Sequence, residues 1–292
     1  MHYSMSIASK MLSLLELGKV KIAIPVVISC FTGYLLQSTD FSLDMAAVIF
    51  GILLIVAGAS AINHIQEHKK DALMNRTMFR PIPSGKLSVG EAFVWSLLFL
   101  LIGCGLLVWG GNILSFYIAL FSILWYNLLY TPLKQISAFA VVPGALSGAF
   151  PPLIGYVAAG GDILAPPILA LAFFFFIGQI PHFWLLLLLY GEDYKRGGFK
   201  VLTDVFSIKQ IHFITLIWML ATIMVALLLP MYDVISSQFA IWTLLILSLW
   251  IIVYSFPILK NYDRLSVRKL FLQLNLYFLL IMIMISIDKL YL

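Results

Sequence analysis

Mostly apolar runs recur along the chain near residues 22–38, 45–63, 92–109, 113–130, 138–157, 163–190, 211–229, 238–258 and 270–287. An α-helix needs roughly 20 apolar residues to cross a bilayer. The nine runs therefore predict an all-α, polytopic membrane protein with nine transmembrane helices. They are continuous rather than alternating, which argues against a β-barrel. No small-residue cleavage site follows the first run, so it reads as a span and not as a removed signal. Residues 1–17 are expected to form an interfacial amphipathic helix. The whole of 1–292 reads as one transmembrane domain. Its two long polar stretches are residues 64–91 and 191–210.

Composition agrees. Of 292 residues, 62% are hydrophobic and 11% charged, with a mean hydropathy of +1.04. Soluble domains are about 45–50% apolar and about 25% charged. A disordered chain, a disulfide scaffold and a cytosolic enzyme are excluded. The two cysteines, Cys30 and Cys104, sit in apolar runs without metal-type spacing.

The net charge of +5 acquires meaning once the charges are located. Seventeen of the eighteen basic residues fall in the N-terminal segment or in the loops after the second, fourth, sixth and eighth runs. The opposite loops carry none; Lys289 alone lies on that side. By the positive-inside rule the N-terminus is cytoplasmic, the C-terminus is outside, and both long loops face the cytoplasm. The charge is a topology signal, and no nucleic-acid partner is expected.

Those two loops hold the candidate chemistry. Asn63, Glu67 and Asp71 are four residues apart, so on a helix continuing from the second run they share one face. A column of oxygen ligands at a membrane surface suits Mg²⁺, which takes few carboxylates and completes its shell with water and phosphate. Arg76 and Arg80 are again four apart, and guanidinium forks suit phosphate oxygens. The second loop carries Glu192 and Asp193, followed by Lys195 and Arg196. Charged residues in such loops are usually only solvated surface, but the regular spacing and the pairing of the two loops favour a metal–diphosphate site. In the fifth run, Pro143, Pro151 and Pro152 among small residues predict close packing and a broken helix. His182 lies within the sixth run, where an ionisable side chain is a functional candidate.

The string Asn63-x3-Glu67-x3-Asp71-x2-Met74-x-Arg76-Thr77-x2-Arg80-Pro81 resembles the first aspartate-rich motif of the UbiA superfamily of intramembrane prenyltransferases. Within it, Tyr130-Thr-Pro-Leu-Lys134, Pro181-His182-Phe183-Trp184 and Asp193-Tyr194-Lys195-Arg196 resemble the protoheme IX farnesyltransferase (heme O synthase) branch. The resemblance covers residues 63 to about 200. Glu67 stands where that family usually has Asp, Lys69 where another Asp is frequent, and Phe199-Lys200-Val-Leu-Thr203 where a Pro-Met-Leu-Pro run is usual.

The resemblance implies a nine-helix bundle around a central cavity. It also implies Mg²⁺-dependent transfer of a farnesyl group from farnesyl diphosphate to a vinyl group of heme b. Asn63, Glu67, Asp71, Glu192 and Asp193 would hold the metal. Arg76, Arg80, Lys134 and Lys195 would bind diphosphate, while His182, Trp184, Tyr194 and Tyr130 would contact substrate. The heme propionates are expected near Lys195, Arg196 or Lys200. The setting would be the inner cell membrane, with the active site facing the cytoplasm. Expected partners are the bilayer and heme A synthase or the terminal-oxidase assembly machinery. The rival readings are a UbiA-type transferase acting on a quinone-precursor ring, and a transporter or heme-carrying assembly factor.

Overall fold

The computed structural model describes residues 7–260 and 263–291, which contain helices and connecting turns but no strand. A short helix α1 (Ile7–Leu17) precedes nine helices long and apolar enough to cross a membrane. These are α2 (Val20–Gln37), α3 (Leu43–Asp71), α4 (Val89–Gly110), α5 (Ile113–Ile136), α6 (Ala138–Ala158), α7 (Pro166–Arg196), α8 (Ile208–Tyr232), α9 (Gln238–Leu259) and α10 (Arg264–Leu290). The all-helical class and all nine expected spans are present in order. Residues 1–6 of the expected interfacial helix lie outside the described residues. In α1, Ser13 and Leu17 are buried, while Met11, Leu12 and Leu15 turn outward.

The helix starts follow from local chemistry. Ser42, Ser88, Asn112, Ser207, Ser237 and Asp263 each accept a backbone N–H of the first turn, at about 1 kcal/mol per cap. Two apolar cores hold the bundle. One joins α7, α8, α9 and α10 around Phe174, Met219 and Tyr277. The other joins α2, α3, α5 and α6 around Ile52, Ile123 and Ile154. Backbones of α2 and α6 touch where each supplies a glycine. A Cβ on Gly33 would collide with the Pro152 carbonyl, and one on Gly155 with that of Cys30.

Three irregularities position the site. First, α5 passes through a π-helical stretch, Trp125–Tyr130. Second, α6 is broken into short 3₁₀ and α segments around Pro143 and Pro151–Pro152, as its prolines predict; the Pro143 carbonyl accepts the Trp125 indole N–H at 2.8 Å. Third, α7 kinks at Tyr190 (φ −129°, ψ 15°). Both α3 and α7 run past their apolar stretches, to Asp71 and Arg196, and carry the polar residues with them.

Candidate active site

Asn63, Glu67 and Asp71 share one face of α3 and are 1%, 4% and 1% exposed. An unpaired carboxylate at that depth is strongly destabilising, and here each has a cation. Lys134 Nζ, from the end of α5, lies 2.8 Å from each Glu67 oxygen. Only Oε2 is aligned to accept its hydrogen bond, and Oε1 accepts none. Arg80 Nη1 donates to both oxygens of Asp71, at 2.9 and 2.8 Å. Lys19 Nζ donates to Asn63 Oδ1 at 2.8 Å, and Asn63 Nδ2 donates to Thr131 Oγ1 at 3.2 Å.

Local structure explains this convergence. The π-helical stretch of α5 leaves the Asn127 carbonyl to accept Gln66 Nε2 at 2.9 Å. The next turn then presents Thr131 to Asn63 and Lys134 to Glu67. After Asp71 the chain folds back on itself, because Thr77 Oγ1 donates to the Asp71 carbonyl at 2.9 Å, and Arg80 returns to Asp71. Lys19 stands at the break between α1 and α2 with φ +48°, a left-handed conformation that costs a non-glycine residue about 1–2 kcal/mol. Burial, then the charges of Arg80 and Lys134, lower its ammonium pKa to about 7, with Glu67 and Asp71 partly opposing.

The second acidic segment meets the first at the same end of the bundle. The kink at Tyr190 tips the last turn of α7 onto the loop that follows Asp71. There Asp193 Oδ1 accepts the Asn75 N–H at 3.0 Å, and Oδ2 accepts the Arg76 N–H at 2.9 Å. Arg76 turns away from Asp71. Its guanidinium lies 4.9 Å from the Tyr190 ring centre and 5.8 Å from that of Tyr194, and Nη2 donates to the Tyr194 hydroxyl at 3.5 Å. Lys195 pairs with Asp204 at 3.3 Å, and Glu192 is exposed.

Asn63, Glu67, Asp71, Arg80 and Lys134 thus come together, whereas Arg76, Asp193 and Lys195 are engaged with other partners. Arg76 and Arg80 do not share a face, because the helix that would align them ends at Asp71. Tyr130 places its ring 5.4 Å from Lys134 Nζ and 6.0 Å from Phe183. His182 lies 5.0 Å from the Phe271 ring. Its Nδ1 has no hydrogen-bond partner. Trp184 is buried edge-on against Trp218 in a packed cluster.

The chain matches the UbiA prenyltransferase family over residues 26–280. It is 34% identical to the protoheme IX farnesyltransferase of Flavobacterium psychrophilum over 288 residues, 94% of this chain and 93% of that one. It is also 34% identical to the protoheme IX farnesyltransferase of Geobacter sulfurreducens, covering 78% and 84% of the two chains. The chain belongs to the UbiA prenyltransferase family. Among solved structures, its fold superimposes on a digeranylgeranylglyceryl phosphate synthase with a TM-score of 0.78 at 21% identity, covering 97% and 99% of the chains. A UbiA homologue of Archaeoglobus fulgidus bound to GPP and Mg²⁺ superimposes with a TM-score of 0.65 at 14% identity, covering 96% and 100%.

In this UbiA-family prenyltransferase the donor types on α3 suit Mg²⁺. All are oxygens, all are buried, and Glu67 Oε1 has no hydrogen bond. Their arrangement is another matter. Among the described residues no three His, Cys, Asp or Glu side chains converge as a metal site; the column supplies two carboxylates, each paired with a cation, and the Asn63 amide. Sequence reading missed two members of the cluster. Lys19 was counted only as a topology anchor, and its strained backbone has no sequence signature. His64, beside Asn63, is 1% exposed with neither ring nitrogen hydrogen-bonded; its place one position along the helix gave no signal.

Proposed function

We propose that this prenyltransferase moves the farnesyl group of farnesyl diphosphate onto the outer vinyl carbon of heme b while water adds its hydroxyl to the inner one and gives up a proton, forming heme O and releasing diphosphate. The observation that carries the reading is the buried column, where Lys19, Arg80 and Lys134 gather on the Asn63–Glu67–Asp71 face. With Lys19 protonated, three cations face two carboxylates, so the cluster is net positive and suits a polyanion. The heme acceptor is supported by the similarity to relatives named protoheme IX farnesyltransferase.

In this reading Arg80 and Lys134 bind diphosphate oxygens, and Lys19 adds a third charge. As the allylic C–O bond breaks, its electron pair stays on the leaving oxygen, and these fixed cations stabilise the growing charge. Mg²⁺, held by Asn63, Glu67 and Asp71, would supply further neutralisation of the diphosphate. Asp193 positions the loop that carries Arg80 through its grip on the Asn75 and Arg76 amides. Tyr130 and Phe183 supply an aromatic wall that excludes water from the allylic cation. His182, with Nδ1 unpaired, is the heme contact. The basic loops support a cytoplasmic setting for this end.

The test is incubation of purified protein in lipid nanodiscs with Mg²⁺, labelled farnesyl diphosphate and either heme b or 4-hydroxybenzoate. Label is expected on heme, and only with Mg²⁺ present. Label on the aromatic acid but never on heme would overturn the acceptor assignment. Heme binding without consumption of farnesyl diphosphate would mark a carrier.

A further inference from the structure

A hollow opens where Asp193 meets the loop after α3. It measures about 710 Å³ and lies between the ends of α7, α8 and α10 and the loop after α3, within the 300–1,000 Å³ usual for ligand sites. Three arginines from three separate segments line it: Arg76, Arg196 and Arg264. Like charges repel, so their convergence needs an explanation. Arg76 and Arg264 both face the Tyr190 ring, at 4.9 and 5.9 Å from its centre. The kink of α7 falls on that same residue. Glu192 and Asp193 also line the hollow. Asp193 uses both oxygens on backbone amides, and Arg196 reaches it only at 3.5 Å. Leu187, Leu188, Leu189 and Val267 add apolar lining.

We infer that this hollow anchors the carboxylate edge of a dicarboxylate tetrapyrrole, through Arg76, Arg196 and Arg264. The inference rests on the heme reading above and names where its acceptor is held. Protoporphyrin carries both propionates on one edge and its vinyl groups on the other side of the ring. Holding the carboxylates at the arginines leaves the macrocycle against the leucine lining and the vinyl side free to face the prenyl donor. Guanidinium forks match carboxylates in geometry, and Tyr190 gives the ring an aromatic neighbour. Lys195, engaged with Asp204, does not line this hollow. Arg76 thereby passes from the expected diphosphate contacts to the acceptor side.

Absorbance titrations of the full chain in nanodiscs test this, with heme b, heme b dimethyl ester and inorganic diphosphate plus Mg²⁺ as probes. The ester is expected to bind about tenfold more weakly than heme b, the scale of one lost charge-assisted hydrogen bond. Arg196→Gln and Arg264→Gln should each weaken heme b by about tenfold, with little effect on the ester or on diphosphate. Arg264→Lys should recover part of the loss. Both arginines are exposed, so their replacement leaves the core intact. Equal affinity for heme b and its ester, or loss of diphosphate rather than heme binding in the variants, would overturn the assignment while leaving the proposed reaction standing. A wild-type protein that binds neither porphyrin would overturn the heme reading, and this inference with it.

Discussion

Asp71 closes α3 and Asp193 lies in the last turn of α7, at the same end of the bundle. The Asp71 side chain is 1% exposed and grips a guanidinium. The Asp193 side chain is 15% exposed and holds two backbone amides. By composition the two segments look like equivalent acidic motifs. Their partners separate them. One column buries its carboxylates against cations, and the other segment holds the backbone of the loop that carries Arg80. A carboxylate's role follows from what it touches, and identical residue types can hold a ligand or hold a turn.

Mutations can break or sharpen this contrast. The largest effect is expected at Asp71→Ala, which should lower turnover about 1,000-fold or more, the scale of losing a main electrostatic contributor. Radiolabelled product measures it, with size-exclusion profiles checking the fold. Near-normal turnover would remove the column from the reaction. Lys134→Met should cost about 100-fold in kcat/KM. It also strands Glu67 at about 3–5 kcal/mol of stability, the scale of a broken buried pair. Adding Glu67→Gln should restore thermal stability but not turnover, which separates a structural ion pair from a catalytic one.

Asp193→Asn should cost only about tenfold, since the amide keeps one acceptor oxygen for the loop. Hydrogen–deuterium exchange at residues 75 and 76 should rise in parallel. A loss as deep as that of Asp71→Ala, with unchanged exchange, would make Asp193 a ligand rather than a clamp. The smallest effect belongs to Glu192→Gln. Its side chain is exposed at the edge of the arginine-lined hollow, and less than about twofold change in kcat/KM is expected for so solvated a group.

Much of this was legible in the chain. Spans announce themselves because a bilayer demands long apolar runs. The Asn63–Glu67–Asp71 column was legible because helical periodicity is local. The Arg76–Arg80 spacing says less about geometry: four-residue spacing aligns side chains only where a helix continues, and here it stops at Asp71. Lys19 could not be seen, since it meets Asn63 across 44 positions of sequence through a left-handed residue. The three arginines of the hollow come from parts of the chain that only packing brings together.

By itself the sequence determined the membrane-spanning class, the order of the helices, their caps and the local stacking of the acidic column. These depend on solvent and on contacts within a turn or two. The tertiary structure decided which cation meets which carboxylate, that Asp193 holds two loop amides, and that arginines from three segments line one hollow. Those outcomes depend on long-range pairing of buried charges. Burial makes each unpaired group costly enough to dictate its partner, and only the folded bundle specifies which partners come within reach.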